Sequence, residues 1–206
     1  MHKETDQTQI KIQQLDNIAK KIQSLDTSPL YEYRIENGYQ PVIGEGDPDA
    51  AVMFIGEAPG AQEAQTGRPF VGRAGQYLDA LLNTIGIDRQ QVYITNIVKD
   101  RPPGNRNPRV NEIKLYAPFL TEQINIIQPK VIATLGRFAM EFILKEYHLP
   151  QYDKKIGNLH GKALVIRADF GSVNFFPLYH PAAVFYNKKL ETVLKNDFTA
   201  LKKLFL

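Results

Sequence analysis

The sequence predicts an α/β protein: a three-layer α/β/α arrangement around a central, mostly parallel four-stranded sheet. Two observations carry this. Short apolar runs at 51–55, 92–98 and 130–135 alternate with segments of helical periodicity at 74–85, 111–128 and 138–147. Such alternation favours parallel pairing with both sheet faces covered by helices. The apolar runs also end in Gly- or Pro-containing turns that carry polar side chains, and open α/β sheets bind ligands beyond the carboxyl ends of their strands.

Taken in order, residues 7–24 carry Ile10, Ile12, Leu15, Ile18, Ala19 and Ile22 near helical spacing, which predicts an amphipathic helix. Residues 27–48 form a long irregular connection rich in Gly, Pro and Tyr. Residues 1–48 are expected to be an N-terminal helix and wrapping arm of a single domain spanning 1–206, since so long a connection suits a packed arm better than a second domain. The strand 51–55 enters a Gly-rich loop at 56–73, followed by the helix 74–85 with Gly86 as its stop. The strand 92–98 runs into a basic, turn-rich loop at 99–108. The helix 111–128 contains Pro118, where a kink or break is expected. The strand 130–135 passes through Gly136 into the helix 138–147. Residues 163–167 and 173–177 read as two short strands joined at Asp169-Phe170-Gly171. Tyr179-His180-Pro181-Ala182 is a further strand-end loop, and a Lys-rich helix closes the chain over 190–206.

A hydrophobic fraction of 43% and a charged fraction of 23% in 206 residues allow one full core. No apolar run approaches the roughly 20 residues that cross a bilayer, and the polar N-terminus does not resemble a signal peptide, so a cytoplasmic protein with no membrane partner is expected. The absence of cysteine excludes disulfides, zinc–thiolate sites and thiolate-held iron–sulfur clusters. No metal and no cofactor is expected. A net charge of +3 permits nucleic-acid binding without requiring it.

Five blocks then stand together in order: Gly56-Glu57-Ala58-Pro59-Gly60 with Glu63 and Gly67-Arg68-Pro69-Phe70-Val71-Gly72; Thr95-Asn96-Ile97-Val98-Lys99; Arg101-Pro102-Pro103 with Asn105-Arg106; Leu135-Gly136-Arg137; and His180-Pro181. Over roughly 44–206 this set resembles the family 4 uracil-DNA glycosylases. The resemblance implies a monofunctional hydrolase of base excision repair that removes uracil from DNA and leaves an abasic site. Uracil-containing DNA is then the partner, free uracil the product, and a monomer the expected state. Members of that family usually hold a [4Fe–4S] cluster on four cysteines. The corresponding positions here are about Leu25, Ser28, Asp100 and Tyr116, so the resemblance is to a cluster-free variant in which Leu25 and Tyr116 fill the space. Ala64, where the family often has Asp, is a second departure without an assigned consequence.

The chemistry asks for particular side chains. A base must leave the stack before its glycosidic bond is reached. Phe70 supplies a stacking face, although an isolated Phe reads as core. Asn96 offers a donor and an acceptor that match uracil O4 and N3–H, or else satisfies a turn. His180 donates to uracil O2 as charge develops, as charged or neutral imidazole, or else caps a helix. Glu57 orients water or stabilises the oxocarbenium-like sugar. Gly56 and Ala58 complete the wall of the base site. Glu63 closes the C5 edge against a thymine methyl, or serves as a helix N-terminal acid. Lys99, Arg101 and Arg106 are candidate phosphate contacts, with Arg109 in the same loop, and Val184 or Phe185 a candidate wedge beside the flipped nucleotide. Two other functions stay open: a turnover-dead DNA- or partner-binding protein of the same fold, and a glycosylase for another deaminated base.

Overall fold

Three strands with no exposed residue lie at the centre of the sheet: β2 (Val52–Gly56), β3 (Tyr93–Asn96) and β4 (Val131–Leu135). They are parallel, β2 pairing with β3 on one side and β4 on the other, and β4 pairs in parallel with β6 (Gly171–Leu178). Two antiparallel strands extend the edges, β1 (Glu45–Gly46) on β3 and β5 (Leu164–Ala168) on β6. The sheet therefore has six strands in the order β1-β3-β2-β4-β6-β5, which corrects the expected four. The extra β1 spans two residues and lies within the arm read as irregular, too short to show a period. The computed structural model describes residues 2–205. Met1 and Leu206, the ends of the expected domain span and of the expected closing helix, lie outside the described residues.

Side-chain alternation divides the core into two layers. Met53, Ile55, Ile132 and Phe175 face α1 (His2–Gln23), α5 (Val110–Ile127) and α6 (Arg137–Glu146). Val52, Phe54, Ala133 and Phe176 face α4 (Arg73–Thr84) and α8 (Leu190–Lys202). Ile18 and Ile22 of α1 are wholly buried, which fixes the N-terminal helix to the body. Short helices α2 (Tyr31–Glu36) and α3 (Ala61–Thr66) stand where an irregular connection and a loop are expected, and α7 (Ile156–Leu159) precedes β5. Pro118 sits inside α5 without ending it. Among the described residues, no helix is long and apolar enough to cross a membrane.

Because β2, β3, β4 and β6 run the same way, their carboxyl ends open on one edge.

Candidate active site

The register places Gly56, the last residue of β2, directly opposite Asn96, the last residue of β3. Gly56 needs to lack a side chain: a Cβ there would lie 2.3 Å from Asn96 Oδ1 and 2.7 Å from Phe70 Cζ. The glycine thus lets the amide of Asn96 and the ring of Phe70 approach one another. Among the described residues, nothing hydrogen-bonds the Asn96 amide, and its side chain lines a cleft. That cleft, of about 360 Å³, is lined by Glu57, Ala58, Glu63, Phe70, Asn96 and His180 together. Six candidates spread over more than 120 positions of sequence therefore meet in one cavity.

Each is held by identifiable contacts. The Glu57 carbonyl accepts from Val98 N–H at 3.1 Å, tying the β2 loop to the continuation of β3. Its carboxyl is half-buried, and burial pushes its pKa up to about 7 against the opposing pull of Arg137. The Glu63 carboxylate accepts from Val71 N–H at 3.0 Å and Gly72 N–H at 2.8 Å. It braces the loop that carries Phe70, a use that neither sequence-based role foresaw. His180 begins a 3-10 turn, Pro181–Phe185, after β6. Its Nδ1 accepts from Ala182 N–H at 3.1 Å, so in the neutral ring the proton sits on Nε2. Burial pushes its pKa down to about 4, with the Glu63 charge pulling the other way. The imidazole is therefore neutral at neutral pH, with Nε2–H as its donor. The rings of His180 and Phe70 stand 5.8 Å apart, tilted by 34°.

The candidate phosphate contacts divide. Arg106 lines the cleft and grips Glu112 through two bonds of 2.9 and 2.6 Å. Arg101 bonds Asn105 Oδ1 at 2.8 Å and lies over the Tyr39 ring. Both are partly exposed beside the cleft. Lys99 corrects its expected role: it has no solvent exposure and cannot reach a phosphate. Its Nζ bonds Thr95 Oγ1 at 2.7 Å, Asn96 O at 2.7 Å and Gln123 Oε1 at 2.6 Å. Val184 is also corrected as a wedge, being 8% exposed and packed in the core layer beneath α4 and α8. Tyr186, 92% exposed, is the apolar side chain this loop leaves to solvent.

Sequence reasoning gave Asn105 and Asn107 no role, yet both line the cleft, as does Pro102. The Pro-Pro-Gly-Asn-Arg-Asn-Pro turn is expected to contact phosphate through its cations, and the Asn side chains within it are the available sign of a second wall. Arg137, part of the Leu135-Gly136-Arg137 block, carries no expected role and is the cation that acts on Glu57.

Residues 43–203 match the uracil DNA glycosylase superfamily. The chain belongs to that superfamily. It is 41% identical over 191 residues to a type-4 uracil-DNA glycosylase of Sulfurisphaera tokodaii, covering 92% of this chain and 84% of that one. It is 41% identical to a type-4 enzyme of Saccharolobus solfataricus (92% and 85% covered) and 37% identical to one of Archaeoglobus fulgidus (94% and 94% covered).

The superfamily resemblance raises the iron–sulfur cluster, and the residues present do not fit it. The chain has no thiol. Ser28 Oγ and Tyr116 Oη lie 2.8 Å apart, Tyr116 donates to Asp100, and both Asp100 oxygens accept from Arg34 at 3.2 Å. Leu25 packs against the adjoining core. A hydroxyl, a phenol and a carboxylate already bonded to one another, beside a guanidinium, are not the soft thiolate set that holds such a cluster. The expected apolar filling by Tyr116 is corrected in one respect: its hydroxyl is a member of a buried polar knot.

Proposed function

We propose that this glycosylase captures a flipped uracil in the cleft and hydrolyses its N-glycosidic bond, leaving an abasic site. The observation that carries the proposal is the convergence of Glu57, Phe70, Asn96 and His180, from four separate segments, on one cavity. Phe70 stacks on the base. Asn96 reads its edge, and cytosine is disfavoured because it presents the opposite donor–acceptor polarity and would strand buried groups. His180 donates Nε2–H to O2 as negative charge develops, in a site where a fixed donor is worth more than in water. Glu57, when ionised, faces the developing positive sugar or orients the attacking water.

Among the residues lining the cleft there is no lysine, so no amine stands ready to form a Schiff base and strand cleavage is not part of the reaction. A single chain supplies every group, which supports action as a monomer. The chemistry is proposed to proceed without an iron–sulfur cluster, in the cytoplasm, with Arg101 and Arg106 beside the DNA backbone. The turnover-dead alternative is disfavoured because the cleft keeps its full set of groups. The test is release of free base, in EDTA, from oligonucleotides containing U·G, U·A, single-stranded U, hypoxanthine or T·G. Uracil release alone is expected; no release from any uracil substrate would overturn the proposal.

A further inference from the structure

Phe70 has φ +49°, in the left-handed region. For a bulky aromatic residue this conformation is strained, and it persists only where the surroundings impose it. The surroundings do so from both sides. Downstream, the Glu63 carboxylate holds the amides of Val71 and Gly72. Upstream, the guanidinium of Arg89 donates from Nη1 to Phe70 O at 3.2 Å and from Nη2 to Pro69 O. Gly75 of α4 packs so tightly on the Phe70 carbonyl that a Cβ there would lie 1.7 Å from the oxygen.

Arg89 is itself fixed. Its Nη1 lies 2.8 Å from Asp79 Oδ1 and its Nε 3.6 Å from Glu45 Oε1. It does not line the cleft. It opens the 3-10 turn Arg89–Gln91, which leads through Val92 into β3 and so to Asn96. The segment that delivers the edge-reading amide thus also grips the peptide behind the stacking ring. The two walls of the base slot are referenced to one short stretch of backbone.

We propose that Arg89 is a positioning residue for uracil capture, holding the Phe70 ring in its left-handed pose at the spacing that Asn96 requires. The proposal rests on Phe70 being the stacking face. It predicts that Arg89 acts through Phe70 and on base binding more than on bond cleavage. Arg89→Met is expected to weaken binding of free uracil about tenfold and to raise KM with kcat little changed, since lost hydrogen bonds to a charged donor are of that size. In a Phe70→Ala background the same substitution is expected to have no further effect, because there is no ring left to place. Arg89→Lys, with one donor reaching two carbonyls, is expected to fall between. Asp79→Asn, which loosens the guanidinium without removing it, is expected to shift uracil affinity in the same direction by less, and serves if Arg89→Met folds poorly.

Uracil affinity by calorimetry, steady-state kinetics and thermal melting are measured on all variants. A tenfold loss in Arg89→Met that vanishes in the double variant supports the proposal. Additive losses, or a fall in melting temperature with uracil affinity unchanged, overturn it while leaving the Phe70 reading intact. Unchanged uracil affinity in Phe70→Ala alone overturns the stacking reading and this proposal with it.

Discussion

The backbone carbonyl of Asn96 accepts a 2.7 Å hydrogen bond from the Nζ of Lys99, a side chain with no solvent exposure. The residue proposed to read the base edge is therefore fixed from beneath by a buried amine whose other partners, Thr95 and Gln123, belong to β3 and α5. Burial alone pushes the pKa of that amine well down. Lys99→Met keeps the stem and takes the amine donor from Asn96 O and Gln123 Oε1, while Thr95 Oγ1 keeps its bond to Ile43 O; each acceptor costs about 1–3 kcal/mol when buried and unpaired, offset in part by removing a buried ionisable group. A lower melting temperature and weaker uracil release are expected. The salt dependence of DNA binding is expected to keep its slope, whereas loss of a phosphate contact would lower it by about 0.9. Binding titrations on an abasic duplex at several salt concentrations check this.

Glu57 is expected to set the pH profile of uracil release. Its carboxyl has a pKa of about 7, and the roles proposed for it need the ionised form. The kcat/KM for uracil release is therefore expected to rise with pH through about 7 and then level off. His180, with a pKa of about 4, stays neutral throughout that range and adds no limb near 6.5. Glu57→Gln is expected to lower the rate and abolish the rise. A profile for Glu57→Gln that keeps the limb would assign it to another group.

The same shifts act on stability, with opposite signs. For Glu57 the folded pKa of about 7 exceeds the ordinary 4.5. The folded state holds the extra proton, so stability is lost as pH rises from 4.5 through 7. For His180 the folded pKa of about 4 lies below the ordinary 6.5, so its penalty is absent above 6.5 and grows as pH falls towards 4. Glu57→Gln is expected to melt higher than the parent at pH 8.5, with the gap closing by pH 4.5. Melting curves across that range read it directly, and a gap that widens towards acid would contradict the sign.

Asn96→Asp exchanges the amide donor for a carboxylate. With nothing else among the described residues bonded to that side chain, the loss falls on the base alone. Uracil release is expected to fall 10- to 100-fold, corresponding to about 1–3 kcal/mol for a buried mismatched polar group. Cytosine release, measured on C·G and single-stranded C substrates, is expected to become detectable. Retained selectivity would remove Asn96 from edge reading.

Phe70, Asn96 and His180 each read equally as core, turn or cap and were singled out by the resemblance of the blocks that carry them. The parallel centre of the sheet was legible because apolar runs ending in Gly/Pro turns are local marks of buried strands and their carboxyl ends. The edge strand Glu45–Gly46 was not, since two residues show no period. Lys99 misled because a lysine beside Asp100-Arg101-Pro102-Pro103-Gly104 reads as surface. Its burial depends on Gln123, 24 residues further on in α5. Arg89 gave no sign because its targets are backbone carbonyls, which carry no residue identity.

The knot of Ser28, Arg34, Asp100 and Tyr116 stands at positions where this chain departs from the resemblance, and it joins the N-terminal arm, the loop after β3 and α5 through buried polar side chains. Arg34 also donates to the carbonyls of Ile22 at 3.1 Å and Gln23 at 2.8 Å, fastening the end of α1. Asp100 leads directly into Arg101 and Pro102, so the knot also anchors the loop that walls the cleft. Burial raises the Asp100 pKa, opposed by the Tyr116 hydroxyl and the Arg34 charge. Asp100→Asn leaves a buried guanidinium without its counter-charge, which typically destabilises by about 3–5 kcal/mol. At about 2–4 °C per kcal/mol for a chain of this size, a fall in melting temperature of roughly 6–20 °C is expected. Arg34→Met with Asp100→Leu removes both charges and is expected to recover much of that loss, because the penalty comes from the unpaired charge and not from the missing pair. Iron and sulfide analysis of the parent protein is expected to find neither, and chelator to change neither its melting temperature nor its uracil release. A visible iron–sulfur absorption band would refute the cluster-free reading, and equal destabilisation by the single and double variants would place the loss in the missing pair and not in the unpaired charge.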